Sequence, residues 1–306
     1  MIGYLRVKSP WSQLGIFLGL FGAAFFLASL VMALLFMSRG VPLTRIEKMN
    51  LGDPGVLSTM KLIQGISAVI IFLFPAIAFA LIVFNRKPFE FLGFKRARTG
   101  KMYALAVVII LVAFPLVFWL GELNQSLPLP KWVTGMEAEA EKQMQAFLKV
   151  SGPMDIMVNL FLVALLPAIC EEVCFRGALQ RILIHISRSP WIGIIVTSII
   201  FSALHLQFQG FLPRMFLGIL LGALYWYSGS LWTSILAHFI NNAVQVVAVS
   251  YAPDIATKDP SIPFIAALIS ALAVLAVIWL FKSFSTVTYE KVYEPDDLNK
   301  VNQFIA

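Results

Sequence analysis

The sequence feature that most constrains the fold is a succession of long apolar segments. Of the 306 residues, 59% are hydrophobic and 13% are charged, against roughly 45–50% and about 25% in soluble proteins. A transmembrane helix needs about 20 largely apolar residues. Eight segments approach or reach that length: 14–37, 62–84, 103–120, 153–176, 191–205, 210–227, 231–250 and 262–281. The sequence therefore predicts an all-α, polytopic membrane protein with about eight transmembrane helices.

Charge and cysteine content exclude several other classes of protein. The net charge of +7 is spread in small clusters between the apolar segments, which excludes disorder and nucleic-acid binding. The two cysteines, Cys170 and Cys174, lie four residues apart in one segment and cannot form a disulfide framework. Packing is their default role, and metal ligation by the pair is the alternative. The expected surroundings are a lipid bilayer.

Lysine and arginine in the connections predict the orientation, because positive residues are retained in the cytoplasm. The connection between the second and third segments carries the largest group, which is Arg86, Lys87, Lys95, Arg96, Arg98 and Lys101. If the segments alternate in direction, this group lies on the same side as Arg6, Lys8, Arg176, Arg181, Arg188, Lys282, Lys291 and Lys300, which makes 14 basic residues on that side against nine on the other. The opposite side carries Arg39, Arg45, Lys48, Lys61, Lys131, Lys142, Lys149, Arg214 and Lys258. We therefore expect an integral, multi-pass protein with both termini in the cytoplasm.

The chain divides into three regions. Residues 1–152 are predicted to form an N-terminal three-helix membrane region with an interfacial helix in its last loop, where Glu137, Glu139, Glu141 and Lys142 oppose Ala140, Met144, Phe147 and Leu148. Residues 153–250 hold the polar groups that interrupt the apolar segments and form the predicted catalytic core. Residues 251–306 are predicted to be the last transmembrane helix and a polar cytoplasmic tail.

Two adjacent glutamates inside the fourth segment are the strongest functional signal. A charge at mid-membrane costs about 2.5–3.5 kcal/mol even on lenient scales, so Glu171 and Glu172 should face a protein interior or a hydrated cavity. Arg176 follows Glu172 by four residues, which allows an ion pair on one helical face. The alternative is a charged cluster at the membrane interface. Pro167, four residues before Glu171, bends the helix and favours a cavity.

Two of the three histidines lie inside apolar segments. His205 follows Phe201 by four residues, and His238 precedes Asn242 by four, so each pair shares a helical face. Each of these histidines alone would also suit a hydrogen bond between helices. The third, His185, lies in a basic stretch and is predicted to be solvated.

Together these side chains predict hydrolysis of a peptide bond. Glu171 can act as the general base on a water molecule. His205 and His238 can hold a divalent metal such as zinc, with Glu171 and Asn242 nearby, or can bind the water directly. The Asn242 amide can donate to the oxyanion. Base, water ligand and oxyanion donor are then all present.

The order Glu-Glu-x-x-x-Arg, Phe-x-x-x-His, His-x-x-x-Asn resembles the CPBP family of intramembrane proteases. That family includes the CAAX prenyl proteases of the Ras-converting type and the bacterial Abi proteins linked to bacteriocin immunity. The resemblance covers 153–250, and it implies an intramembrane (metallo)endopeptidase that acts on a peptide or a lipidated protein. It further implies that Glu171 activates water, that His205, His238 and Asn242 complete the site, and that Glu172 and Arg176 orient the glutamate helix.

A single site places demands on the fourth and fifth helices. If the fourth helix ended at Arg176, His205 would lie about 20 Å from Glu171 along the axis, at 1.5 Å per residue. We therefore expect the fourth helix to continue to about His185, the fifth to begin deep or lie tilted, and the cavity to open to the cytoplasm. Two other functions fit the same residues: a proton-coupled transporter with helices broken at Pro75, Pro115 and Pro167, and a noncatalytic immunity or scaffold protein.

Overall fold

All regular secondary structure in the described part of the chain is helical. The computed structural model describes residues 9–39, 54–83, 87–148, 150, 152–251 and 261–293, and within these ranges it contains no strand. The helices are α1 Pro10–Ser38, α2 Gly55–Val83, α3 Pro88–Leu92, α4 Lys101–Gln125, α5 Lys131–Leu148, α6 Pro153–Ser187, α7 Pro190–Ala203, α8 Phe211–Ser228, α9 Leu231–Tyr251, α10 Phe264–Ser283 and α11 Tyr289–Tyr293. The all-α prediction is confirmed. The polar tail beyond 293 and the basic residues Arg6, Lys8, Arg45, Lys48, Arg86, Lys149, Lys258 and Lys300 lie outside the described residues.

Seven helices in the described ranges are long and apolar enough to cross a membrane: α1, α2, α4, α6, α8, α9 and α10. The shorter apolar helix α7 has 14 residues and corresponds to the fifth predicted segment, so about eight spans is consistent with the structure. Helix α6 has 35 residues and continues past Arg176 to Ser187. The predicted extension of the fourth helix is therefore present.

The outer surface of the bundle is apolar, as a bilayer requires. Phe26 on α1 and Trp279 on α10 are each 74% exposed, and both helices carry large aliphatic side chains around them. Because lipid tails are as apolar as these side chains, such a surface is stable only in a membrane. The chain is a multi-pass integral membrane protein.

The connections at one end of the bundle contact one another. Leu231 donates its backbone N–H to the Gly93 carbonyl at 2.8 Å, and the Ser230 hydroxyl donates to the Lys95 carbonyl at 2.5 Å. The Arg98 guanidinium reaches the carbonyl that follows α10, at Phe284. We call this the 87–100 end. Helix α1 starts here too, because Phe17 near its beginning packs on Phe79 near the end of α2.

The other connections meet at the opposite end, which we call the 204–210 end. Asn124 at the end of α4 donates to the Phe208 carbonyl and accepts from the Leu212 N–H, both at 2.7 Å. Glu122 accepts from the Ile262 N–H, just before α10, at 2.8 Å. Both limits of the described chain, residues 9 and 293, therefore lie at the 87–100 end.

Helix α8 approaches α6 and α7 closely through two glycines. The Arg176 guanidinium donates to the Gly218 carbonyl and the Gln180 amide donates to the Gly222 carbonyl, each at 3.1 Å. A Cβ on Gly218 would lie 2.9 Å from the Ser198 Cβ and 3.2 Å from its Cα. Small residues allow helix backbones to approach in membranes, and here the approach provides carbonyl acceptors for buried polar side chains.

We expect Gly218→Ala to destabilise the protein by about 1–3 kcal/mol, because the added methyl group would overpack the α7–α8 contact. Gly19→Ala on α1 is the control, since nothing lies within 4 Å of the added Cβ there. The measurement is thermal unfolding in detergent for both variants. Equal melting temperatures would contradict the close packing of α8.

Candidate active site

The paired glutamates lie on an irregular part of α6. π-Helical turns, Leu160–Leu165 and Val173–Gln180, flank them on both sides, and Pro167 lies between as a residue without a backbone N–H. Such turns often occur at functional sites. The Glu172 and Arg176 side chains are both 0% exposed, with Nη1 and Oε1 2.5 Å apart. The predicted ion pair is present, and its burial excludes a charged cluster at the interface.

His238 on α9 lies between the two glutamates. Its Nδ1 is 2.9 Å from Glu172 Oε1 and its Nε2 is 3.9 Å from Glu171 Oε2. If Nδ1–H donates to the Glu172 carboxylate, Nε2 carries the lone pair and faces Glu171. The 3.9 Å separation is too long for a direct hydrogen bond, but one water molecule can bond to both atoms.

His205 follows the C-terminal end of α7, and Phe201 connects it to the glutamates. The His205 Nδ1 lies 2.8 Å from the Phe201 carbonyl, so it donates its proton there and leaves Nε2 as an acceptor. The Phe201 ring centroid lies 4.9 Å from the His205 ring and 6.0 Å from the His238 ring. The Arg176 Cζ atom lies 4.7 Å from the same centroid. The Phe201 ring is therefore in contact with both imidazoles and with the Arg176 guanidinium.

Two neighbouring amides on α9 face the same region. Asn241 donates its Nδ2 to Asn242 Oδ1 at 3.0 Å, and the Asn242 Nδ2 lies 3.5 Å from the Val163 carbonyl. Because Oδ1 accepts from Asn241 and one N–H is donated to Val163, Asn242 has its other N–H left as a donor and its carbonyl occupied. Sequence analysis singled out Asn242 and missed Asn241, although the Asn-Asn doublet was a visible signal.

One cavity, of about 580 Å³, brings the predicted side chains together: it is lined by Glu171, His205, His238 and Asn242, with Asn241 beside them. His205 is exposed, whereas His238 is only 5% exposed. Glu172 and Arg176 do not line the cavity and lie behind it, in contact with His238 and Gly218. The polar groups of the three motifs thus sort into those that face the cavity and those that support it.

The outer part of the cavity is built from α5 and the segment between α7 and α8, with Glu141, Gln145, Gln207, Gln209 and Arg214 in its lining. The Glu137 carboxylate on α5 is buried and accepts the backbone N–H groups of Phe208 and Gln209. Glu137 was predicted on the polar face of an interfacial helix. Instead, it attaches α5 to the segment beyond His205.

These contacts place the outer cavity at the 204–210 end, opposite the limits of the described chain. We predicted both termini and the cavity opening on the cytoplasmic side. The two predictions cannot both be right. Residues 9 and 293 lie at the 87–100 end of the bundle, whereas the cavity extends to the 204–210 end. The physical cause is the length of α6, which carries Glu171 well away from the 87–100 end.

Three other predicted residues lie apart from the cavity lining. The His185 ring is half-buried and stacks on the Tyr293 ring of α11, with centroids 5.0 Å apart, so the prediction of a solvated residue is wrong. The reason is that α11 folds back over the end of α6. Cys170 and Cys174 are buried and free, in agreement with a packing role.

The side chains do not form a metal site as they stand. The imidazoles and Glu171 are suitable donors for zinc. However, the described residues contain no group of three or more His, Cys, Asp or Glu side chains close enough to hold one ion. A metal bound by His205 and His238 stays a prediction from the sequence.

Comparison with known proteins identifies the region that contains these residues. Residues 153–244 match the family model described as type II CAAX prenyl endopeptidase Rce1-like. An uncharacterized protein, YpbD from Bacillus subtilis (strain 168), is 36% identical over 90 residues, which cover 28% of this chain and 43% of YpbD. No solved structure matches. The resemblance to CAAX-type proteases is therefore confirmed over the region that runs from α6 into α9.

Proposed function

We propose that this multi-pass membrane protein, with its Rce1-like region, is an intramembrane endopeptidase that hydrolyses a peptide bond with glutamate-activated water. One observation carries the proposal: a carboxylate from α6, an imidazole and a carboxamide from α9, and an imidazole from the segment that follows α7 line one cavity in an otherwise apolar bundle. Ionisable groups inside a membrane usually mark a functional site. The family match supports a membrane endopeptidase.

In the first step, a water molecule lies between Glu171 Oε2 and His238 Nε2 and donates a hydrogen bond to each. Its lone pair then points away from both groups, toward the carbonyl carbon of the substrate. As the oxygen attacks that carbon, Glu171 takes one proton from the water. A tetrahedral intermediate forms with its negative charge on the former carbonyl oxygen.

In the second step, the Asn242 Nδ2 donates a hydrogen bond to this oxyanion. The intermediate then collapses, the carbon–nitrogen bond breaks, and Glu171 returns its proton to the leaving amine. The products are a new carboxyl terminus and a new amino terminus. Glu171 is again a carboxylate, so the cycle needs no other reactant.

Glu172 and Arg176 act through His238. Glu172 Oε1 accepts from both Arg176 Nη1 and His238 Nδ1, which holds the proton on Nδ1 and keeps Nε2 free as an acceptor. Carboxylates commonly set the tautomer and ring orientation of a functional histidine in this way. Arg176 balances the Glu172 charge inside the bundle, so these two residues are positioning residues.

A peptide or a lipidated protein is the proposed substrate. The test is to incubate the purified protein with peptides that end in a CAAX sequence, with and without a prenyl group, and to identify cleavage products by mass spectrometry. Cleavage by the wild type and not by Glu171→Gln would support the assignment. Purified protein that cleaves none of these peptides, and yields no new termini in membranes that contain it, would contradict it.

The predicted metal has its own test. Metal analysis of the purified protein is carried out for the wild type, His205→Ala and His238→Ala. Zinc held by both imidazoles would be present in the wild type and lost from both variants, and a chelator would remove it together with activity. Wild-type protein that is active without bound metal would contradict the prediction.

We expect Asn241→Asp to lower kcat about 100-fold, comparable to the loss of an oxyanion donor. The new carboxylate oxygen would face Asn242 Oδ1, and two oxygens cannot form a hydrogen bond. Asn242 would therefore rotate its amide group so that the N–H donates to the carboxylate and no longer points at the substrate. KM should change little, since the lost interaction is made in the transition state. Gln245→Glu is the control, because it makes the same chemical change one turn further along α9 in the same cavity. An equal loss in both variants would indicate a general charge effect.

A further inference from the structure

The two ends of the bundle differ in charge. The 87–100 end exposes a set of basic side chains: Lys87, Lys95, Arg96, Arg98, Lys101, Arg188, Lys282 and Lys291. Two acids, Glu90 and Glu290, are exposed at the same end. Among the described residues, the 204–210 end exposes fewer basic groups and carries five acids, which are Glu122, Glu137, Glu139, Glu141 and Asp155. Positively charged ends of this kind are retained in the cytoplasm. The charge distribution thus assigns the 87–100 end to the cytoplasmic face.

Within the described residues, the lining of the cavity extends toward one of these ends and not toward the other. From Glu171 its lining continues through Gln64, Gln245 and Val249, which lie in the parts of α2 and α9 nearer the 204–210 end, to Gln145 and Gln209 at that end. On the side of the 87–100 end, the buried layer formed by Glu172, Arg176 and Gln180 closes the bundle beneath Glu171. The Arg176 and Gln180 side chains are bonded to α8 there, with no exposed surface.

From these two observations we propose that the substrate reaches Glu171 from the non-cytoplasmic side of the membrane. The proposal rests on the proposed function and adds a substrate class: the segment that is cut belongs to a polypeptide that has crossed the membrane or projects beyond it. A lipidated protein confined to the cytoplasm would meet the closed 87–100 end. The substrate class therefore differs from that of a protease that processes cytoplasmic C termini.

The chemistry of the outer cavity suits an extended peptide from that side. Gln145, Gln207, Gln209 and Gln245 line it with carboxamides, which can donate to and accept from a peptide backbone. The lining also contains apolar side chains from the middle of α4 and α8, which are Ile110, Leu217 and Leu221. A peptide can thus exchange hydrogen bonds with water for bonds with these amides before its scissile bond reaches Glu171.

Cysteine labelling tests the sidedness independently of catalysis. Ser126 and Ser283 form a matched pair, because each is exposed at a helix end and bonds to a carbonyl three residues earlier in its own helix. Ser126 lies at the 204–210 end and Ser283 at the 87–100 end. Each is replaced by cysteine in a chain whose Cys170 and Cys174 are alanine, and intact cells are treated with a membrane-impermeant maleimide. A third variant, Gln145→Cys, reports on the cavity itself.

We expect Ser126→Cys and Gln145→Cys to be labelled in intact cells, and Ser283→Cys only after permeabilisation. Any result in which Ser126→Cys is protected in intact cells overturns the proposal, as does labelling of Ser283→Cys in those cells. A fluorescent protein fused to the C terminus is a second measurement that requires no cysteine variant. Fluorescence is expected if the C terminus is cytoplasmic, and an unfolded, dark fusion together with a folded membrane protein would overturn the proposal.

A third experiment identifies the substrates. It compares the new protein termini in cells that produce the wild type with those in cells that produce Glu171→Gln. Termini specific to the wild type should map to non-cytoplasmic segments of membrane or secreted proteins. Termini confined to cytoplasmic segments would overturn the sidedness and leave the proposed function standing. Absence of wild-type-specific termini, with labelling as expected, would instead count against the proposed function.

Discussion

Replacement of Glu171 by glutamine is expected to abolish proteolysis and leave the helix bundle intact. The amide has the shape of the carboxylate but cannot take a proton from a water molecule, as the proposed mechanism requires. Loss of a general base typically costs about 10²–10⁴-fold in rate, and here the same group also returns the proton to the leaving amine. The measurement is single-turnover cleavage in detergent, with thermal unfolding as the check on folding.

Glu141→Gln is the matched control for this experiment. Glu141 also lines the cavity, but it lies on α5 and its Oε1 accepts from Gln145, 3.1 Å away. Its replacement should leave the rate of the chemical step nearly unchanged. Full activity in Glu171→Gln would reject Glu171 as the base. A transporter would retain solute flux in proteoliposomes when proteolysis is lost, and a scaffold would retain its phenotype in Glu171→Gln.

The second large effect is expected from Arg176→Met. This change removes the only cation bonded to the fully buried Glu172 within the described residues. Removal of one partner of a buried pair typically costs about 3–5 kcal/mol, because the other charge is left uncompensated. Activity should fall as well, since Glu172 would no longer hold His238 in one tautomer. The measurements are chemical unfolding in detergent and kcat.

Two comparisons separate the charge effect from lost packing. Glu172→Gln combined with Arg176→Met removes both charges, and should recover part of the stability but not the activity. Lys87→Met breaks a surface pair whose side chains are 71% and 60% exposed, where the expected loss is within about 1 kcal/mol. If Lys87→Met and Arg176→Met unfold alike, the buried pair is not a source of stability.

Features that depend on near neighbours in the chain were predicted correctly. The apolar segments predicted the helices because each helix satisfies its own backbone hydrogen bonds in a bilayer. The spacing of Glu172 and Arg176 predicted their ion pair because residues four apart share a helical face. One feature of longer range was predicted as well: α6 had to continue beyond Arg176 for Glu171 and His205 to meet in one cavity.

Other contacts depended on helices that are distant in the chain. Glu137 is polar and falls on the polar side of an amphipathic pattern, yet it is buried because two backbone N–H groups near Phe208 require an acceptor. Gly218 is an ordinary helical glycine by sequence, and only its contact with Ser198 and Arg176 gives it a role. Asn241 gained significance only when its side chain was seen to orient Asn242.

By itself, the sequence of this protein determined a bundle of membrane helices and the three motifs whose polar groups had to avoid lipid. Tertiary structure decided which of these groups face the cavity, which support them from behind, and toward which end of the bundle the cavity extends. The physical reason is that helical periodicity places a side chain on a face of its own helix. Which partner a buried polar group has depends on how the helices pack. His238 and Glu172, for example, are hydrogen-bonded although 66 residues separate them in the chain.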